Sequence, residues 1–166
     1  MIQSSALGFA IAEADHEVSE IGGNNQGPRM IDYRLNSDPP IHQDVPWCAL
    51  FIQYCSDTVC KAMQVPNPLD DVKLEAYVQS YHNWGDVHGL VVPWRSSQPG
   101  DLALFNFRNT RWDHIGFVLT APGANGLFTT IEGNTSNESE RDGDGVFIKT
   151  RVCTGAYPVS FIRWFE

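Results

Sequence analysis

Hydrophobic positions in the first half of the chain recur at helical spacing. One series advances by 4, 3, 4 and 3 residues along one face of an amphipathic helix: Leu7, Ile11, Ala14, Val18 and Ile21. We expect Ser4 or Ser5 to cap this helix and Gly22-Gly23 to end it. A second pattern predicts a helix from about Pro46 to Met63, apolar in most directions and therefore buried. A third, shorter helix is predicted around Val72 to Tyr81.

After "SSQPGD" the pattern changes to short β-rich runs, which are "DLALFNF", "HIGFVLT", "LFTTIEG", "GVFIKTRV" and "VSFIRWF". Turn-forming segments separate the later runs: "APGANG", "ERDGDG" and "CTGAYP". Helices followed by consecutive strands predict an α+β fold, with the N-terminal helices packed on an antiparallel sheet of about five to six strands. The length of 166 residues predicts a single domain, 1–166.

The composition argues against two classes of binding partner. The formal net charge is −9 and no basic stripe occurs, which argues against nucleic acid and against adsorption to anionic membranes. The N-terminus has a short apolar run and no basic segment before it. We therefore expect no signal peptide, no membrane span and synthesis in the cytoplasm. We also expect a monomer.

Four cysteines do not make a disulfide framework in a chain of this length. On one helix, Cys48 and Cys55 would be separated by roughly 10 Å of rise, too far for a bridge. A bridge between Cys60 and Cys153 remains possible, although reduced thiols are the simpler expectation.

Cys48 is the candidate nucleophile. If Pro46 takes the first helical position, Cys48 lies at the third, among unpaired backbone N–H groups and at the positive end of the helix dipole. Both features favour the thiolate, and the same N–H groups can hold an oxyanion. The alternative is that Cys48 is a small buried apolar residue.

A nucleophilic cysteine needs a base, and His114 is the strongest of the five histidines. It opens the strand "HIGFVL", in which His114, Gly116 and Val118 take one face and Ile115, Phe117 and Leu119 take the other. Gly116 leaves space beside the imidazole. The alternative is an ordinary histidine at a strand end.

The segment "TTIEGNTS" supplies two candidates for orienting that histidine. Glu132 and Asn134 share parity and are expected to point to the same side of a strand. Either could also be a solvated residue at the strand end. A cysteine at a helix N-terminus, a histidine opening a strand and an acid or amide ending the next together suggest a Cys-His-acid constellation.

Several motifs resemble those of the CHAP family of cysteine amidohydrolases and peptidases. They are "PWCALFIQYC", "QPGDLALF", "DHIGFVL", "TIEGNTS" and "GDGVFIKTR", together with the upstream "EIGGNNQGP". The resemblance extends from about Glu20 to Arg151 and keeps the order of the family's motifs. It implies a papain-like (NlpC/CHAP-type) fold that cleaves amide bonds in peptidoglycan, as N-acetylmuramoyl-L-alanine amidase or endopeptidase.

The resemblance also implies roles for individual residues. Cys48 would be the nucleophile, His114 the general base and Glu132 its orienter, with Asn134 assisting or taking that role. Gln43 and Gln26 would be candidates for the oxyanion hole. Trp112 would line a substrate groove, and Asn25 would contact substrate or shape its loop.

The chain departs from calcium-binding members of the family. The region before Cys48 reads "NSDPPIHQDVPWC", and Asp38 and Asp44 are too isolated for a calcium loop that needs six or more oxygen ligands. We expect no metal and no cofactor.

Three biological roles stay open. The first is a phage lysin that reaches the cell wall by holin-type release, and the second is an amidase effector delivered against other bacteria. The third is a catalytically silent wall-binding or virion module. The bond that would be cut is not predicted.

Overall fold

Helices and one antiparallel sheet make up the computed structural model, which describes residues 2–136 and 143–165. Within these residues the α-helices are α1 (Ile2–Asp15), α2 (Pro28–Asn36), α3 (Cys48–Met63) and α4 (Val78–Val87). Short 3₁₀ turns lie at Pro68–Asp71 and Trp94–Ser96. The strands are β1 (Val91–Val92), β2 (Leu102–Phe105), β3 (His114–Thr120), β4 (Leu127–Thr135), β5 (Gly145–Val152) and β6 (Val159–Ile162).

The strands form a single antiparallel sheet in the order β1-β6-β2-β3-β4-β5. The predicted α+β class and the number of strands are therefore confirmed. The turn predicted at "ERDGDG" lies partly outside the described residues, at 140–142. In the part of the chain that is described, no helix is long and apolar enough to cross a membrane.

The main core lies between the helices and one face of the sheet. Helix α3 packs against β3 and β4, and α1 packs on α3. Ile115 and Phe117 belong to this core, whereas Val118 packs with Phe105 and Phe128 in a second apolar cluster on the opposite face. The predicted alternation along β3 is confirmed, and it places His114 on the face away from the body of α3.

Gly133 sets the closeness of α3 and β4. A Cβ atom at this position would lie 2.7 Å from Cζ3 of Trp47 and 2.8 Å from Cβ of Phe51. Such distances are well inside van der Waals contact, so only glycine lets the start of α3 approach the strand this closely.

Two helix predictions are wrong in their bounds. Helix α1 ends at Asp15, because Glu17 has a left-handed φ of 52° and Val18 bonds to β5 through its backbone carbonyl, which accepts from Val146 N–H at 3.0 Å. Ser4 and Ser5 lie within this helix and do not cap it. Helix α3 begins at Cys48, two residues later than predicted, with Trp47 as its N-cap.

The helix predicted at 72–81 is also misplaced. Leu74 adopts a left-handed φ of 59°, which a continuous helix does not allow, and α4 begins only at Val78. The glycine-containing segment "NWGDV" lies inside α4. Helix α2 was not predicted, although Pro28 at its first turn is a recognised start signal.

Candidate functional site

Cys48 is the first residue of α3 and its side chain is nearly buried, with 5% of the residue exposed. The first intrahelical bond runs from the Phe51 N–H to the Trp47 carbonyl at 2.9 Å. The N–H groups of Cys48, Ala49 and Leu50 therefore have no acceptor within the helix. The later helix start moves the thiol from the predicted third position to the first, still at the positive end of the helix dipole.

Trp47, the N-cap of this helix, anchors the helix start in the core. Its indole is fully buried in the main core, and Nε1 donates to Glu20 Oε1 at 2.8 Å. The residue before the candidate nucleophile is therefore anchored in the core.

His114 lies at the start of β3 and contacts both of its predicted partners. Its Nε2 is 2.7 Å from Oε2 of Glu132, and the Cys48 thiol is near enough to the same imidazole to raise its pKa. Because Nε2 is engaged by Glu132, Nδ1 is the ring nitrogen left for the thiol. The structure thus brings Cys48, His114 and Glu132 together in one connected row.

Burial and charge oppose each other at His114. Burial lowers the pKa of the imidazole, but the charge and hydrogen bond of Glu132, together with the neighbouring Cys48 thiol, outweigh it and raise the pKa to about 10. The arrangement therefore favours an imidazolium beside Cys48, which is the partner that a thiolate needs.

Glu132 is fully buried and completely satisfied by donors. Arg151 donates through Nε to Oε1 at 2.7 Å and through Nη2 to Oε2, and Thr130 Oγ1 donates to Oε1 at 2.5 Å. Burial alone would raise the pKa of this carboxyl. His114 and Arg151 instead lower it to about 2, through charge and hydrogen bonds, so the group is ionised.

The space that Gly116 was predicted to leave is used by Glu132. A Cβ at position 116 would lie 2.6 Å from Cγ of Glu132. The missing side chain thus lets the carboxylate reach across β3 to the imidazole.

The side chain of Asn134 does not orient His114 as predicted, because it binds two backbone groups instead. Its backbone is left-handed, with φ 53°, and the strand register shifts between Glu132 and Thr135. Regular alternation therefore ends before Asn134. With its amide oriented to satisfy both groups, Oδ1 accepts from Trp47 N–H at 3.1 Å and Nδ2 donates to the Gly143 carbonyl at 2.9 Å. Asn134 holds the residue before Cys48, whereas Glu132 is the partner of His114.

None of the candidate substrate residues forms a hydrogen bond with Cys48 or His114 among the described residues. Trp112 is half-buried and stacks on His82, with ring centroids 4.6 Å apart. Gln26 is exposed and donates to Asp44 at 2.9 Å in the loop before α3. Gln43 is exposed in the same loop, and half-buried Asn25 forms a turn with φ 57°. Their roles toward substrate stay predictions.

Besides Gln26, the Asp44 side chain also contacts a residue of α2. Arg34, which is buried, forms an ion pair with the Asp44 carboxylate, and this pair together with Gln26 lowers the pKa of Asp44. The loop that leads to Cys48 is thereby fixed to α2.

The sequence analysis missed Arg151, the Phe107 ring beside the imidazole and the Tyr157 ring that packs on Phe107. Phe107 lies 5.8 Å from the His114 ring and Tyr157 lies 4.7 Å from the Phe107 ring, measured between centroids. Alternation along β5 determines the face of the sheet on which Arg151 lies. The side chain reaches Glu132 because of the register between β4 and β5, which pairs Arg151 with Phe128.

The other three cysteines are free thiols in unsuitable surroundings, so the possible Cys60–Cys153 bridge does not form. Burial raises the pKa of Cys55 well above its usual range, and burial also raises that of Cys60. Cys153 has a pKa raised to about 11 by burial. None of the three has a histidine base described beside it.

Within residues 2–136 and 143–165, no group of three or more His, Cys, Asp or Glu side chains is arranged to hold a metal ion. Comparison with models of known protein families and with curated proteins found no match for this chain.

Proposed function

We propose that this chain is a papain-like cysteine amidohydrolase or endopeptidase of CHAP type, acting on peptidoglycan. The observation that carries the chemistry is the row Cys48–His114–Glu132, in which a thiol at a helix N-terminus meets a buried imidazole held by a carboxylate. The choice of peptidoglycan rests on the resemblance of the surrounding motifs to the CHAP family.

In the proposed reaction the Cys48 thiol gives its proton to Nδ1 of His114. The thiolate then attacks the scissile carbonyl carbon and forms a C–S bond, while free N–H groups at the start of α3 stabilise the oxyanion. The C–N bond breaks as His114 protonates the leaving amine. A water molecule, deprotonated by His114, hydrolyses the thioester, and the proton returns to the Cys48 sulfur.

Glu132 fixes the imidazole and balances its charge in this scheme. Because the carboxylate bonds Nε2, the proton exchanged with Cys48 and substrate is held on Nδ1. A catalytically silent module would have no need of a buried ion pair arranged in this way beside a thiol.

The test is digestion of purified peptidoglycan, with the released fragments identified by mass spectrometry. An amidase would release whole stem peptides, whereas an endopeptidase would release shortened ones. We expect Cys48→Ala to lose activity by a factor on the order of 10³ or more. The matched control is Cys153→Ala, which removes a partly exposed thiol outside the row and should leave the fragments unchanged.

Two results would count against the proposal. Full activity in Cys48→Ala would exclude the thiol mechanism. Absence of fragments from walls of several chemotypes would exclude peptidoglycan as the substrate and favour the silent module.

A further inference from the structure

Arg151 lies behind the candidate site and makes its main contacts with the residue that orients His114. It belongs to β5, faces Phe128 on β4, and has a side chain that is 16% exposed. Both Nε and Nη2 donate to the Glu132 carboxylate. Through Glu132, the guanidinium is connected to an imidazole that it does not itself bond.

The surroundings of Arg151 hold its guanidinium in a fixed plane. Its Cζ lies 5.0 Å from the ring centroid of Phe105 and 5.1 Å from that of Phe107. Those two rings are themselves stacked, with 3° between their planes, and the Tyr157 ring packs edge-on against Phe107, with centroids 4.7 Å apart. A planar fork between such partners loses little further freedom when it binds a carboxylate.

The donors around Glu132 occupy both of its oxygens. Oε1 accepts from Thr130 and from Arg151 Nε, and Oε2 faces His114 Nε2 and Arg151 Nη2. A carboxylate has about four acceptor positions, and these four contacts fill them. The Glu132 carboxylate therefore cannot rotate or take up a proton without losing one of its hydrogen bonds.

Arg151 also determines the net charge of the groups around the imidazole. When the thiolate–imidazolium pair has formed, Cys48 and Glu132 each carry −1 while His114 and Arg151 each carry +1. The four groups are then neutral as a set. When His114 gives its proton away, Arg151 alone still balances Glu132, because an arginine remains charged at every relevant pH.

We propose that Arg151 is a positioning residue of the thiol site: a permanent counter-charge that keeps Glu132 ionised and aimed at His114 Nε2 in both protonation states of the imidazole. The inference rests on the proposed cysteine chemistry, but it does not depend on which amide is cut. It separates two tasks, since Glu132 orients His114 and Arg151 keeps Glu132 able to do so.

A second ion pair in the same sheet region provides a matched control. Arg163 donates to buried Asp101 through Nε to Oδ1 at 3.2 Å and through Nη2 to Oδ2 at 3.0 Å. This pair has the same two-pronged form and bonds neither Cys48 nor His114. Its removal should affect stability only.

The experiment measures the rate at which iodoacetamide alkylates Cys48 between pH 3 and pH 10, with the modified peptide quantified by mass spectrometry. Without Arg151, the thiolate, the imidazolium and the Glu132 carboxylate together carry a net charge of −1. This negative charge raises the pKa values of the remaining groups. We therefore expect both limbs of the pH profile of Arg151→Gln to move upward by about 1–3 pH units. Arg151→Lys should keep the limbs near those of the unaltered chain, and Arg163→Gln should not move them at all.

Unmoved limbs in a folded Arg151→Gln protein would overturn the proposal, as would an equal shift in Arg163→Gln. If Arg151→Gln does not fold, the carboxyl ¹³C resonance of Glu132 in Cys48→Ala protein decides the question. The proposal requires this carboxyl to stay ionised from pH 4 to pH 10 while His114 titrates, and protonation of Glu132 in that range would refute it.

Digestion of peptidoglycan in parallel separates the two proposals. A shifted alkylation profile without wall digestion would support Arg151 while removing peptidoglycan as substrate. Wall digestion with an unshifted profile would do the reverse.

Discussion

The imidazole of His114 and the carboxylate of Glu132 meet across two neighbouring strands, with Nε2 2.7 Å from Oε2. His114 is 9% exposed and Glu132 is fully buried, so water screens this contact little. The carboxylate therefore acts strongly on the charge of the imidazole beside the Cys48 thiol.

Replacing Glu132 by Gln tests that contact while keeping the shape of the side chain. The amide removes the charge that raises the pKa of His114, and burial then lowers the pKa from about 10 to below its usual 6.5. We expect hydrolysis to fall by a factor on the order of 10²–10⁴, because general-base catalysis is impaired. NMR titration of His114 checks the pKa, and an unchanged pKa would show that Glu132 does not control the imidazole.

Asn134 should behave differently, since it holds the backbone before Cys48 and carries no charge. Asn134→Ala removes the bond to Trp47 N–H and places alanine at a φ of 53°. Asn134→Gly removes the same bond without that strain, so it should be more stable than Asn134→Ala by about 1 kcal/mol. Both variants should keep the pH profile of Cys48 alkylation.

Urea unfolding measures the difference between the two variants of Asn134. A shift of the His114 pKa in Asn134→Gly, as large as that in Glu132→Gln, would contradict the separate roles given to these residues.

The candidate nucleophile, base and acid could be predicted because each depends on local sequence. Cys48 lies two residues after Pro46 and precedes a long apolar run, and His114 and Glu132 stand out against strands of regular alternation. The helix start was displaced by two residues, but the thiol remained in the first turn. Local patterns thus located the candidate site within about one helical turn.

The supporting contacts could not be predicted because they depend on long-range register and backbone irregularity. Arg151 reaches Glu132 only because β5 pairs with β4 in one particular register. Asn134 left the predicted side because the alternation breaks where its φ becomes positive. Val18 kept the apolar spacing of α1 but paired with β5 instead, so periodicity alone could not end that helix.

Glu75 should make stability depend on pH. It is 7% exposed, its Oε2 has no hydrogen-bond partner among the described residues, and burial together with the charges of Asp57, Asp70 and Asp38 raises its pKa from 4.5 to about 7. A raised carboxyl pKa means that ionisation opposes folding. The penalty is absent below about pH 4.5, grows as the pH rises and is complete above about pH 7.

Glu75→Gln removes this ionisation. We expect the variant to be more stable than the unaltered chain at pH 8 by on the order of 1–3 kcal/mol, with a smaller or reversed difference at pH 4. Thermal unfolding of both proteins at the two pH values provides the measurement. An advantage that is the same at both pH values would mean that charge is not the cause.

Gly133→Ala should separate the start of α3 from β4. The added Cβ would lie 2.7 Å from Trp47 and 2.8 Å from Phe51, and neither neighbour can move freely in the core. We expect a loss of stability of about 1–3 kcal/mol from overpacking. Because Trp47 directly precedes Cys48, we also expect the thiol to move away from His114 and hydrolysis to fall further than the loss of folded protein explains.

Gly8→Ala is the matched control for this substitution. Its added Cβ has no neighbour within 4 Å and lies inside α1, where alanine is favoured over glycine by about 1 kcal/mol. The control should therefore raise the melting temperature and leave hydrolysis unchanged. Equal activity in folded Gly133→Ala and Gly8→Ala would show that the site tolerates displacement of the helix start, which contradicts the fixed geometry argued for Cys48.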